Sequence, residues 1–154
     1  MNYWDHKLMR EQLDDRLESL SVLRNFSRPE KGWIRSIREG LGMTTTELGR
    51  RAGISQSRIS RLESAEIEGD LLLSSLQKLA EGMGMKFVYA FVPPTSITEM
   101  VGKQALKHAE KRMAKVNHTM RLENQEIDED EKKRALETLA EQILHQPPRN
   151  FWGL

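Results

Sequence analysis

The chain has 154 residues, the length of one domain with an added segment. Its 24 Lys+Arg stand against 23 Asp+Glu, a net charge of +1, which excludes a uniformly cationic coat for nucleic acid. Aromatics make up 6%, too few for a large β-sandwich core, and cysteine is absent, which excludes disulfides, thiolate zinc sites, iron–sulfur clusters and cysteine nucleophiles. Residues 1–20 are full of charge and carry no secretory signal, and no apolar run approaches the ~20 residues that cross a bilayer. The expected setting is cytoplasmic, with no membrane partner.

In chain order, Leu8, Leu13, Leu17, Leu20 and Leu23 predict an amphipathic helix over 4–23, in a first segment that spans 1–29. Ser27-Arg28-Pro29 breaks that pattern. A second helix is expected from about Glu30 to Leu41, with Trp33, Ile34, Ile37 and Leu41 on one side and Gly42 as its stop. Thr44 and Glu47 form a capping box that opens a short helix ending near Ala52, where Gly53 supplies a tight turn. Ser55 is expected to cap the next helix, from Gln56 to about Ser64. A further helix should cover about Leu71 to Gly82, with Leu72, Leu76 and Leu79 facing inward.

Residues 86–92, Lys-Phe-Val-Tyr-Ala-Phe-Val, are β-branched and aromatic, and Pro93-Pro94 ends the run. A lone strand cannot satisfy its own backbone groups. The economical partner is the same strand of a second copy, which makes a two-fold dimer through Phe87, Val88, Tyr89 and Phe91. The alternative is a strand laid against a loop. Ser96 and Glu99 form a second capping box, and a long helix should run from about Thr98 to Leu122. A last helix is expected from about Asp128 to His145, its acidic first turn complementing the helix dipole. Phe151-Trp152 at the end either tucks back or meets a partner. The fold class is mainly all-α, with one short dimerising strand and a C-terminal pair of helices. The expected domains are 1–29, 30–94 and 95–154.

Local charge departs from the total. From Lys31 to Arg61 seven basic residues face Glu39 and Glu47, a balance of +5. From Arg121 to Glu141 four basic residues face eight acidic ones, a balance of −4.

Residues 43–63, MTTTELGRRAGISQSRISRLE, read as helix, Gly-containing turn and helix. Leu48 and Ala52 pack one helix on the other, and Ile54, Ile59 and Leu62 anchor the second. The outward face of that second helix carries Gln56, Ser57, Ser60, Arg61 and Ser64. Gln bonds adenine and Arg bonds guanine in bidentate fashion, while Ser accepts either. A purely structural helix can also show these residues outside. Residues 33–85 resemble the phage-repressor-like (XRE) helix-turn-helix domain, a five-helix fold. The resemblance implies that Gln56, Ser57, Ser60 and Arg61 read bases of double-stranded DNA. It places Thr45, Arg50 and Arg58 near phosphate, with Thr45 where the family usually has Gln. Gly49 replaces the usual Ala, at about 1 kcal/mol of helix propensity and with no contact broken. The expected target is a palindromic operator with half-sites ~34 Å apart.

The C-terminal 60 residues admit three readings: a second dimerisation element, an effector domain, or a partner-binding arm. Thr119-Met120-Arg121-Leu122-Glu123-Asn124 resembles the inhibitory helix of antitoxins that control Fic-domain AMP transferases. The resemblance implies that Glu123 pairs with the toxin Arg that would hold ATP's γ-phosphate, while Thr119 and Asn124 settle the helix in its groove. Ser64 to Gly69 repeats the pattern, with Glu68 in the acidic place. The whole chain resembles the mobile mystery protein A family through GWIRSIRE, GMTT, VYAFVP and HTMRLEN, and that likeness implies a Fic-domain partner. The alternative is a plain XRE-type regulator whose last helices serve dimerisation.

An enzyme is not expected. His6, His108, His118 and His145 lack metal-ligand spacing and read as surface residues, the ten Gly sit at helix ends and turns, and no cofactor or metal is implied.

Overall fold

The computed structural model describes residues 1–120 and 128–153, with side chains for 1–116 and 128–153. Its described residues form seven α-helices: α1 Tyr3–Glu18, α2 Trp33–Gly40, α3 Thr45–Ala52, α4 Gln56–Glu68, α5 Leu73–Gly82, α6 Ile97–Met120 and α7 Glu129–His145. A 3-10 turn, Ser21–Asn25, follows α1. The chain divides into two compact units, Asn25–Phe91 and Met1–Arg24 with Val92–Leu154.

The central unit packs α2 to α5 around one aliphatic cluster. Ile34, Leu48, Ile59 and Leu79, one from each helix, are buried there with Met83 just past α5, and Ile37, Ala52, Ile54, Leu62, Leu71 and Leu76 lie around them. Thr44 caps α3 as expected: its hydroxyl accepts from the Glu47 N–H at 3.1 Å, and the Glu47 carboxylate accepts from the Thr44 N–H at 2.7 Å. The Thr44 N–H first, and then the Thr44 hydroxyl, which donates to the same carboxylate at 2.9 Å, hold the Glu47 carboxyl below the usual carboxylate range. Gly53 closes α3 in the left-handed region at φ 67°, where a side chain would be strained.

Several boundaries differ from expectation. α2 begins at Trp33 rather than Glu30, because Gly32 enters it at φ 76°. The Glu66 carboxylate then accepts from the Trp33 N–H at 2.8 Å and the Ile34 N–H at 2.9 Å, capping α2 from another helix. α4 runs to Glu68, four residues beyond the expected Ser64. Ser55 occupies the N-cap position of α4 with no side-chain capping bond; its hydroxyl lies 3.4 Å from that of Ser57.

The expected strand over 86–92 is not formed. Residues 85–93 have no regular secondary structure, and among the described residues no backbone forms a ladder with 86–92. High β-propensity describes a surface that fits a sheet, and a sheet needs a second strand.

In the other unit, α6 and α7 pack along small side chains. Ala105, Ala109 and Ala140 are buried with Ile143 and Phe151. Phe151 tucks back, while Trp152 stays 62% exposed. The Phe151 carbonyl accepts from Gln104 Nε2, and His108 Nε2 lies 2.8 Å from it. The His108 ring stacks on that of Phe151 at 5.3 Å and is only 7% exposed, which overturns its reading as a surface histidine. α1 buries none of its residues fully, and Leu8 and Leu13 of its expected inward stripe are exposed. A ring contact and polar contacts anchor it: Tyr3 stacks on His145 at 3.7 Å. Asp14 accepts from the Ile97 N–H at 2.6 Å, the Thr98 N–H at 3.1 Å and the Thr98 hydroxyl at 2.6 Å. The capping role expected of Ser96 and Glu99 is thus shared: Ser96 takes the Glu99 N–H, and Asp14 takes the two donors before it.

Candidate nucleic-acid interface

α4 is held by its inner face. Ile59 is fully buried, Leu62 and Ala65 are half-buried, and Glu63 sits beneath them beside Arg38. The Arg38 Nε meets Glu63 Oε1 at 2.6 Å, Nη2 meets Oε2 at 3.2 Å, and Nη1 donates to the Met43 carbonyl at 2.8 Å. This bidentate pair locks α2, α4 and the loop before α3 into one piece. The hydrogen bonds that the guanidinium donates to Glu63 raise its pKa. At the far end of α4, the Arg28 guanidinium donates to the Glu66 carbonyl at 2.8 Å and the Ile67 carbonyl at 3.0 Å, where the helix dipole favours a cation.

The outer face is solvent-exposed at Gln56, Ser57, Arg58, Ser60, Arg61 and Ser64. All four expected base readers, Gln56, Ser57, Ser60 and Arg61, therefore project from one helix into solvent. Gln56 Nε2 donates to the Thr45 hydroxyl at 3.2 Å, tying the first turn of α4 to the first turn of α3. Thr45 is half-buried, and Arg50 and Arg58 are exposed.

The basic balance of 31–61 changes once partners are assigned. Lys31 and Arg35 both bond Glu39, at 3.2 and 2.8 Å. Arg38 is paired with Glu63, just outside that window, and Arg51 donates to the Gly82 carbonyl at the end of α5. Arg50, Arg58 and Arg61 remain, with no hydrogen bond or ion pair among the described residues. All three lie on α3 and α4. Arg58 also lines a shallow cavity with Lys78 and the hydroxyl-bearing Ser55, Ser74 and Ser75. Lys78, Ser74 and Ser75 escaped the sequence reading, because α5 was read only for its apolar side.

Gly49 has a steric role that propensity did not reveal. A Cβ there would stand 2.5 Å from the Ile54 carbonyl oxygen, in the turn that leads into α4. The Ile54 N–H also donates to the Gly49 carbonyl at 2.8 Å. An alanine at this position would therefore meet backbone, contrary to the expectation that no contact is at stake.

The structure does not gather the other expected residues at this face. Phe87 is half-buried and its ring lies 6.3 Å from that of Tyr89, while Val88, Tyr89 and Phe91 are 71%, 69% and 86% exposed. Thr119 falls in the backbone of α6, with its side chain outside those described; Glu123 and Asn124 lie outside the described residues. Glu68 ends α4, exposed.

Among known proteins, residues 34–89 match the helix-turn-helix family. The match opens inside α2, spans α3, α4 and α5, and closes in the irregular segment that follows. This part of the chain is a helix-turn-helix domain of XRE type, the class that its α3–turn–α4 geometry defines. No curated protein and no solved structure matches the chain. Among the described residues no helix is long and apolar enough to cross a membrane.

Proposed function

We propose that the chain is a transcription regulator that binds double-stranded DNA through α4. The observation that carries this reading is the exposed face Gln56–Ser57–Ser60–Arg61 on the second helix of a helix-turn-helix, flanked by the exposed cations Arg50 and Arg58. Gln56 and Arg61 supply the bidentate geometries that distinguish adenine and guanine in the major groove, and the two serines adapt to either. Arg50, Arg58 and the Thr45 hydroxyl set the protein on phosphates, which fix register without carrying sequence information. Lys78, beside Arg58, extends that phosphate track. The active form is a homodimer on a palindromic operator. The dimer forms when segment 86–92 of one copy pairs with that of another, which gives the exposed Val88, Tyr89 and Phe91 and their backbone a partner.

Operator selection from a randomised duplex pool, followed by competition binding, tests this. Arg61→Ala should lose about 1–3 kcal/mol and relax the preference at one base pair. A uniform loss on all sequences would make Arg61 a phosphate contact, and an unselected pool would overturn sequence-specific binding.

The helix-turn-helix match favours a plain regulator and does not reach the last 60 residues. A second role there, inhibition of a Fic-domain AMP transferase through Thr119, Glu123 and Asn124, rests on the sequence pattern HTMRLEN. A carboxylate at 123 would occupy the guanidinium that otherwise holds the γ-phosphate. Glu123→Gly should release AMP transfer by a co-purified partner and leave operator affinity unchanged. Equal transfer with both forms would leave the regulator without an antitoxin function.

A further inference from the structure

We infer that segment 86–92 pairs antiparallel with the same segment of a second copy in a single register, with Tyr89 on the two-fold axis, and that operator DNA completes this dimer. The inference rests on the reading of the chain as an operator-binding regulator, and adds to it the register and the linkage.

The free backbone sets the limits. Among the described residues no hydrogen bond reaches the main chain of 86–92. The stretch is closed on both sides. The Met85 N–H is already taken by the Ala80 carbonyl at 2.8 Å. At the other end Pro93 has no N–H, and its carbonyl accepts from Arg24 Nε at 3.0 Å. A two-fold ladder that uses all of 86–92 and nothing beyond must centre on Tyr89. Moving the axis to Val88 sets Phe91 against the engaged Met85. Moving it to Ala90 sets Phe87 against Pro93, which cannot donate.

The side chains agree with that centre. Phe87-Val88-Tyr89-Ala90-Phe91 reads nearly the same in both directions. About Tyr89, Phe87 faces the partner's Phe91 and Val88 faces the partner's Ala90. Aromatic thus meets aromatic and small aliphatic meets small aliphatic, the cross-strand matches that stabilise a sheet. Alternation puts Phe87, Tyr89 and Phe91 on one face, and the Phe87 and Tyr89 rings already stack at 6.3 Å within one copy. Lys86 is the only charge in the run, and this register sends the two lysines to opposite ends of the ladder, about 20 Å apart.

The ladder is too small to hold the dimer alone. Val88, Tyr89 and Phe91 are largely exposed. They offer each copy on the order of 400 Å² of apolar surface, about half of the ~800 Å² per partner in a stable interface. A lone two-stranded ladder is marginal in water. Two half-sites on one duplex raise the effective concentration of one copy beside the other. The ladder therefore closes on the operator and loosens away from it.

The chain has no cysteine, so introduced thiols report the pairing without background. The full chain is oxidised mildly at high concentration, with circular dichroism as the control for folding. Tyr89→Cys should cross-link to itself, or Val88→Cys should cross-link to Ala90→Cys in a mixture, since one of these two pair types is the close one in an antiparallel ladder. Val88→Cys alone and Ala90→Cys alone should cross-link weakly. Efficient self-linking of either one moves the axis and overturns the register, and no cross-link in any variant overturns the pairing. Sedimentation of the wild-type chain, with and without its selected duplex, tests the linkage. A monomer alone and a dimer on the duplex are expected, and the cross-linked dimer should bind that duplex about tenfold or more tighter at low concentration. A dimer equally stable without DNA, or one chain per duplex, overturns the linkage. A wild-type chain that selects no duplex overturns the operator reading and the linkage together, while the cross-links still decide the register.

Discussion

The two units solve the same packing problem with different means. The helix-turn-helix unit surrounds large aliphatic side chains, Ile34, Leu48, Ile59 and Leu79, and then clamps them with charge: Arg38 on Glu63, Glu66 on the start of α2, Arg28 on the end of α4. The other unit brings α6 and α7 together along Ala105, Ala109 and Ala140, and fastens itself with a terminal aromatic turn and one carboxylate from α1. The first arrangement fixes the orientation of a helix that must present side chains to a ligand. The second fixes the spacing of two helices, because small residues let backbones approach closely. Orientation needs directional bonds at several points, and spacing needs only a seam.

The sharpest way to break the first arrangement is Glu63→Ala. It strands the Arg38 guanidinium in a site where both side chains are about 10% exposed, and should cost about 3–5 kcal/mol, seen as a large drop in the denaturant midpoint. A loss below ~1 kcal/mol would place this pair with surface bridges. The corresponding test of the second arrangement is Phe151→Ala. It removes the ring and should cost about 3 kcal/mol, the low end for such truncations because a terminal turn relaxes more readily than a helix. Near-UV circular dichroism of the remaining aromatics would report it, and an unchanged melting profile would show that the turn is only decorative.

The smallest expected effect concerns acid. Burial pushes the Asp14 carboxyl up, but hydrogen bonds from Thr98 and Ile97 outweigh it, and the net direction is down. A carboxyl whose folded pKa lies below its unfolded value of ~3.9 stabilises the fold above that value, and the contribution fades as pH falls through the folded pKa. Asp14→Ala should therefore cost about 1 kcal/mol at neutral pH, as other lost caps do, and nothing at low enough pH. Equal destabilisation across the acid range would mean that packing, not the carboxylate, is lost.

Local signals were legible and distant ones were not. Thr44 and Glu47, three residues apart, announced their capping box, and Gly53 announced its turn, because both motifs close within a few residues. Gln56, Ser57, Ser60 and Arg61 could be placed on one outward face by helical spacing alone. Glu63 and Glu66 offered no signal in the sequence, since their partners lie 25 and 32–33 residues away. Asp14 caps a helix 83 residues downstream, beyond any periodic pattern. His108 was misread for the same reason: its partner is a carbonyl 43 residues later. The segment 86–92 shows the opposite failure, in which a strong local preference has no neighbour to satisfy it.

The close approach at Gly49 sets how finely α4 can be aimed. α4 spans 13 residues, about 20 Å, so a tilt of ~3° at its first turn moves its last turn by about 1 Å. Hydrogen bonds to base edges tolerate only about half an ångström of such error. The missing methyl group beneath the turn thus works as a levelling screw: a single hydrogen atom in place of a carbon determines where Arg61 and Ser64 come to rest, far from the point of adjustment.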